Sequence, residues 1–395
     1  MGNFKKYVAM AACAAMAFTM TACGSDSSGG DSGNANGNEV KIGLNFEITG
    51  QNATYGQTEL NGVKLALKQA KENKDNKMTY TTVEGDNKSN AGESTTVGQK
   101  MLSSDGVQAF IGPATSGASA AIYDLATDSK VFVISPSATQ TGVTTKKNGD
   151  VYDYVYRVCF EDAYQGAAMA AYTKDTLGKT KAAILSDSTS DYAKGLEAAF
   201  EKKFQEKGGE IVSKSNYVSG DTDFNASLTK IKNSGADVLY IPGYYNEVGS
   251  IIRQAREMGI DVPIVGGDGF DSSDLSKLAG NKEYLNDVYF TTAYTTVGAS
   301  DELKAFIEAY KAEYNEDPSM FSALAYDSTN LLIQAYEEAG TTDAEAVKAA
   351  MDKISFKGVT GSFTFDETHT PKKTALVVKL IDGEQKEAVE VDPNK

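Results

Sequence analysis

Residues 109–139 read AFIGPATSGASAAIYDLATDSKVFVISPSAT, and they hold one full repeat of the fold. Ala109, Phe110 and Ile111 make a short apolar run closed by Gly112 and Pro113, which is how a buried strand reads. Residues 118–129 follow as a helix, and residues 131–134 return to a strand. Strand, helix and strand in succession predict a parallel sheet with helices on both faces.

The alternation continues in both directions. Upstream, 40–46 reads as a strand and 59–73 as a helix with Leu60, Val63, Leu67 and Ala70 on one face. Strand 78–84 and helix 91–103 complete that half. A polar interruption at 144–150 precedes a second series. It places helices at 163–177, 192–207, 224–233 and 247–258, and strands at 181–185, 210–218, 238–241 and 264–265. Two series of similar length predict two similar lobes, and the absence of a short repeat excludes a solenoid. The remaining tail has a strand at 288–292, helices at 302–314, 323–339 and 344–354, and strand-like pieces at 361–365, 374–381 and 386–391. It is too little for a third core, so it should return to the first two.

The chain opens with a different kind of segment. Lys5 and Lys6 precede an apolar run over residues 8–20 that is too short to span a bilayer. Met20, Thr21 and Ala22 then lead to Cys23. Residues 1–22 read as a secretory signal, and Cys23 as an acylated N-terminus in a bacterial lipobox. Residues 24–38 (GSDSSGGDSGNANGN) form a flexible tether with a reach of roughly 20 Å. A lipid anchor followed by a tether makes mechanical sense and places the body outside the cytoplasmic membrane. Cys159, the one cysteine left for the body, reads as a small buried hydrophobe.

The 395 residues carry a formal charge of −16. Loss of Lys5 and Lys6 with the signal lowers the 38 basic residues to 36 against 54 acidic ones, a charge of −18. Phosphate recognition needs a basic face, so nucleic acid is excluded as a partner. His369 is the one histidine; it sits in the polar turn 366–369 and reads as an exposed loop residue. One histidine and no cysteine cluster exclude a zinc centre, and nothing calls for a cofactor. No phosphate-binding loop or nucleophile elbow is present. Ser227 to Lys230 match S-x-x-K, in a plain amphipathic helix without companion motifs. Abundant acids leave a secreted glycoside hydrolase open as an alternative.

Ligands of open α/β sheets bind outside the carboxyl ends of the strands. The loops there are 49–56 (TGQNATYG), 112–117 (GPATSG) and 135–139 (SPSAT) in the first series. The last two concentrate small hydroxyls where helix N-termini leave N–H donors unpaired, which suits an anion; ordinary helix capping explains the same residues equally well. The second series differs. Residues 186–192 (SDSTSDY), 242–245 (PGYY) and 265–270 (VGGDGF) set carboxylates beside aromatic rings, which suits a cation. Asp187 and Asp191 read as helix caps. An anion half-site facing a cation half-site describes a zwitterion such as a free amino acid.

These segments carry a resemblance. TGQNATYG, GPATSG, SPSAT, SDY, PGYYNEVGSIIRQAREMG and GGDGF, in this order, resemble the leucine/isoleucine/valine-binding proteins of the type I periplasmic-binding fold, the capture subunits of ABC importers. The likeness covers residues 39–395. It implies two Rossmann-like lobes with parallel sheets, joined by three crossover segments near Arg157, Thr292 and Phe363. Lobe I would comprise 39–157 plus 293–362, and lobe II 158–292 plus 363–395. It implies that Ser116 and Thr139 bind the ligand carboxylate, helped by the backbone at Ser137 and Ala138. Asp268, where family members often carry Glu, would pair with the ammonium, with Tyr244 as an added contact. Tyr55, Tyr192 and Phe321 would wall the pocket. The implied protein is a monomer that captures a branched-chain or similar apolar amino acid and delivers it to an importer's permease. A ligand-binding subunit of a sensory system is the other reading.

Overall fold

The computed structural model describes residues 37–395; the signal, Cys23 and residues 24–36 of the tether lie outside them. The first sheet consists of β1 (Glu39–Phe46), β2 (Thr79–Asp86), β3 (Ala109–Ile111), β4 (Phe132–Ser135) and β5 (Val155–Arg157). Its order is β2-β1-β3-β4-β5, and every pairing is parallel. Helices α1 (Ala53–Glu72), α2 (Ala91–Lys100) and α3 (Ser116–Asp128) connect its strands.

The chain then leaves this sheet through α4 (Asp162–Ala171). A second series follows: β6 (Lys181–Asp187), α5 (Asp191–Glu206), β7 (Glu210–Tyr217), α6 (Asn225–Lys232), β8 (Val238–Ile241), α7 (Tyr245–Glu257), β9 (Ile264–Gly266), α8 (Ser273–Ala279) and β10 (Val288–Thr292). It returns to the first lobe as α9 (Asp301–Tyr314), α10 (Met320–Ala339), α11 (Ala344–Met351) and a hairpin of β11 (Phe356–Gly358) and β12 (Gly361–Phe363). It crosses once more to end as β13 (Ala375–Ile381) and β14 (Glu384–Val391). The second sheet runs β14-β13-β10-β9-β8-β6-β7. Its last two chain segments pair antiparallel and the rest parallel.

Burial explains these elements. Every residue of β4, β8 and β10 is buried, as strands covered by helices on both faces require. The edge strands β2 and β14 carry Thr, Glu and Lys with much of their length in water, which discourages pairing with a second chain. The tail has no core of its own: α9 and α10 pack on α1, and β13 extends the second sheet.

Several elements differ from the sequence-based expectation. Helix α1 starts six residues early, at Ala53, so Tyr55 lies in its first turn. Thr54, Tyr55 and Gly56 are poor helix formers, yet tertiary contacts hold them helical: Thr54 Oγ1 donates to Asp274, and a side chain at Gly56 would strike the Glu47 backbone. Strand β5 and helix α8 were not foreseen. Ser190, not Asp187 or Asp191, caps α5 through Ala193 N–H, while Asp187 Oδ1 accepts from Thr189 within the preceding turn. His369 is not exposed. Its ring stacks on Tyr156 at 4.1 Å, and Nδ1 lies 2.9 Å from the Val155 carbonyl oxygen. Cys159 is buried, and burial holds its thiol protonated.

Arg157, fully buried at the end of β5, ties the passages together. Its guanidinium donates to Thr370 Oγ1 on the third passage, to the carbonyl oxygens of Ala138 and Gln140 after β4, and to Glu161 on the first passage. Truncating one side of such a network leaves buried acceptors without donors. Arg157→Met should destabilise the protein by about 3–5 kcal/mol in urea unfolding. A loss below about 1 kcal/mol would show that the network is dispensable.

Candidate functional site

Strand order locates the site. In the first sheet the chain reverses direction of growth between β1 and β3, and in the second between β6 and β8. Loops diverge at such switch points and leave a crevice at the carboxyl ends of the strands. The two crevices face each other. Gln51, Asn52, Thr115 and Gly117 from one lobe, and Ser190, Tyr192, Ser219 and Tyr244 from the other, line a shared space of about 220 Å³.

The lobes touch around it. Tyr55 Oη donates to the Gly269 carbonyl oxygen at 2.5 Å and accepts from Tyr245 N–H at 3.3 Å. Asp271 Oδ2 accepts from Met320 N–H at the start of α10, at 2.9 Å. Ser219 Oγ donates to Gln51 Oε1 at 2.6 Å. Apolar rings fill the interior. Tyr55 stacks on Phe321 at 4.1 Å, and Tyr192 lies nearly parallel to Tyr244 at 4.8 Å.

On the first wall the hydroxyl loops behave unevenly. Thr115, at the N-cap of α3, makes no side-chain cap, so that helix end is not closed by its own hydroxyl. Ser116 Oγ accepts from Gln140 N–H at 3.2 Å, which leaves its proton free to donate. Ser137 Oγ donates to Glu59 at 2.5 Å, and Ala138 N–H donates to Ser135 Oγ at 3.0 Å. Glu47 takes the N–H groups of Ala114 and Thr115 and the Thr115 hydroxyl. Part of the donor array is thus already matched by internal carboxylates.

On the second wall Asp268 is the centre. It is 3% exposed, and its Oδ1 accepts from Tyr192 Oη at 2.7 Å and Gln165 Nε2 at 3.0 Å. Tyr192 Oη also accepts from Gly269 N–H at 2.9 Å. Neighbouring Gly266, Gly267 and Gly269 permit this closeness: a side chain at Gly267 or Gly269 would strike the Tyr192 hydroxyl, and one at Gly266 the Phe270 ring. Burial pushes the Asp268 carboxyl up to about 6, and the Tyr192 and Gln165 hydrogen bonds oppose that rise.

The structure therefore brings Tyr55, Tyr192, Tyr244, Asp268 and Phe321 into contact; of the expected site residues Tyr192 and Tyr244 line the cavity, whereas Ser116, Ser137, Ala138 and Thr139 are buried in the segments after β3 and β4. Residues that sequence reasoning missed are Asp162, Gln165, Glu47 and Glu59, all buried. A signal existed for two of them: Asp162 and Gln165 sit three apart at the start of the otherwise small and apolar helix DAYQGAAMAA, and so share a face.

Two open α/β sheets, crossed three times by one chain and meeting at opposed switch points, define a two-lobed solute receptor that holds its ligand between the lobes. The chain belongs to the periplasmic binding protein family, whose sequence pattern matches residues 39–385. That family comprises extracytoplasmic ligand binders without enzymatic activity. A leucine-, isoleucine-, valine-, threonine- and alanine-binding protein of Pseudomonas aeruginosa is 29% identical over 83% of this chain and 86% of its own length. The branched-chain amino acid transporter substrate-binding protein LivJ of Streptococcus pneumoniae, solved in complex with isoleucine, is 41% identical with a TM-score of 0.84. It matches 90% of this chain and 99% of its own. The leucine-binding protein LivK of Thermotoga maritima is 32% identical with a TM-score of 0.83, over 90% and 99% of the two chains.

The Asp268 environment has a measurable consequence for stability. Its folded value of about 6, against an ordinary 3.8, means that the folded chain holds this proton longer than the unfolded chain. Its contribution to stability is therefore best at low pH and declines as pH rises through that window. Asp268→Asn should be more stable than the parent by about 1–3 kcal/mol at pH 7.5, with the difference vanishing by about pH 4. Urea unfolding of both proteins across that range checks it; equal stability at pH 7.5 would refute it.

Proposed function

We propose that the protein captures a branched-chain or similar apolar amino acid and hands it to an ABC importer. What supports this reading is that the uncapped start of α3 lines the crevice between the lobes at Thr115 and Gly117, while Asp268 is buried behind Tyr192, whose side chain lines the opposite wall and donates to it. The first wall takes the ligand carboxylate through Ser116 and Thr139, with the backbone at Ser137 and Ala138 shaping the loop. The second takes the ammonium through Asp268, with Tyr244 and Tyr192 beside it. Tyr55 and Phe321 form an apolar, aromatic enclosure for the side chain. Likeness to an isoleucine-bound relative at 41% identity supports an aliphatic ligand.

The lobes, 39–157 with 293–362 and 158–292 with 363–395, move as two bodies about their three passages. Closure strengthens each charge-assisted bond by excluding water, each worth roughly 1.5–3 kcal/mol net. Residues 1–22 direct export, Cys23 carries the lipid, and 24–38 let the monomeric body swing above its permease partner.

A thermal-shift screen of the purified protein against the amino acids should single out isoleucine, leucine and valine as the strongest stabilisers. No shift with any amino acid would sink the assignment. By calorimetry with the best ligand, Asp268→Ala should lose about 2–5 kcal/mol of affinity, because the ammonium is left unpaired on closure. Cys23→Ala should move the protein from the membrane to the soluble fraction on detergent phase partition, and an unchanged distribution would remove the anchor.

A further inference from the structure

Beside Asp268 lies a second buried carboxylate. Asp162, in the first turn of α4, is fully buried, and its Oδ2 has no hydrogen-bond partner. Gln165 Nε2 donates to Asp162 Oδ1 at 2.9 Å and to Asp268 Oδ1 at 3.0 Å. The two acids therefore share one amide group. The opposite face of that amide is fixed as well, because Gln165 Oε1 accepts from Thr291 Oγ1 at 2.6 Å and from Asp268 N–H at 3.2 Å. Gln165 has no freedom to turn away, so the two carboxyls are held as a pair.

Among the described residues no cation hydrogen-bonds to that pair; Lys373, half-buried near Cys159, donates to Thr360 Oγ1 and is paired electrostatically with Asp327. Arg157 is the positive group near Asp162, and its donors are all engaged by Thr370, Ala138, Gln140 and Glu161. Around the pair stand Tyr192 from α5, Tyr240 from β8, Tyr244 before α7 and Tyr55 from α1, together with the Cys159 thiol; burial raises all five, so they stay neutral. Asp271 adds a further carboxyl, itself raised to about 6, on the same turn as Asp268. Desolvation and then the Asp268 charge push Asp162 upward too, against smaller pulls from the Gln165 amide and the Arg157 charge. Two carboxyls that share one amide donor, one of them raised by the other's charge, titrate as a unit.

Resting on the amino-acid assignment above, we propose that Asp162 and Asp268 act as one proton-sharing pair, and that binding an ammonium ligand expels the shared proton to solvent. The ligand arrives with its own positive charge. That charge takes over the neutralisation the proton supplied, so one H⁺ leaves as one ammonium enters. Gln165 is the positioning residue that keeps the carboxyls close enough to share. Asp162 N–H donates to the Thr139 carbonyl oxygen at 2.8 Å, which joins the pair to the loop assigned to the ligand carboxylate.

Isoleucine is the probe. Titration calorimetry at pH 6 in two buffers of different ionisation enthalpy should report close to one proton released per ligand bound, falling toward zero at pH 8. The dissociation constant should rise about tenfold per unit as pH drops below the titration of the pair, and stay flat above it. Asp162→Asn should shrink the proton count and flatten the profile while isoleucine still binds. The wild-type measurements stand by themselves if that variant does not fold. Binding of isoleucine with no proton release at pH 6 and a flat profile from pH 5 to 8 would overturn the shared proton and leave the amino-acid assignment intact. Failure of isoleucine and every other amino acid to bind would overturn both.

Discussion

Asp268 is held out of water beside Asp162, and among the described residues no cation hydrogen-bonds to either. An ionised carboxylate in such a place is tolerated only with strong hydrogen bonds or an incoming positive charge. Tyr192 and Gln165 supply the bonds, and the positive charge is left for the ligand. The aromatic pair Tyr192 and Tyr244 and the three glycines of the Asp268 turn serve that arrangement, since they allow close approach while excluding water. With Asp268 ionised, a neutral or anionic solute would leave that carboxylate unmatched, which is why the proposed ligand carries an ammonium.

The scaffold makes this possible by separating two jobs. Parallel strands buried on both faces give rigid platforms, and the loops at their carboxyl ends carry the chemistry. Because each sheet reverses its order once, each has one natural crevice. The passages between sheets bring the crevices face to face, and Arg157 binds the first passage to the third and to the loop after β4. A buried guanidinium with all its donors engaged resists repacking, so the first and third passages are held together at the loop after β4.

Much of this was legible in the residues. The bounds of β3, β8 and β10 read correctly to the residue, because short buried strands flanked by breakers leave little ambiguity. Asp268, Tyr192 and Tyr244 were visible as polar or aromatic groups directly after strands. The early start of α1 was not, because Thr54 is fixed by Asp274, 220 residues on in the chain, and Gly56 is required by the close approach of the Glu47 backbone. Strand β5 has three residues and one of them is arginine, so no local pattern marks it. His369 looked like a turn residue and is one, with positive φ, but the turn folds inward onto Tyr156. Asp162 and Gln165 gave a pattern on α4 that alone does not tell a buried site from a solvated first turn.

The hydroxyl loops teach a related lesson about internal competition. A loop rich in Ser and Thr before a helix reads as an anion site, yet Glu47 and Glu59 already take donors from Ala114, Thr115 and Ser137. Burial raises both acids above their ordinary range, and the Glu47 charge adds to the rise at Glu59. Their effect is to sort the donors. Groups facing the protein interior are matched internally, and the uncapped end of α3 with the Ser116 hydroxyl is left toward the crevice. A loop with every donor open would bind any small anion, phosphate included. Occupying these donors with Glu47 and Glu59 leaves fewer open, which fits the proposed capture of a single carboxylate better than that of a phosphate.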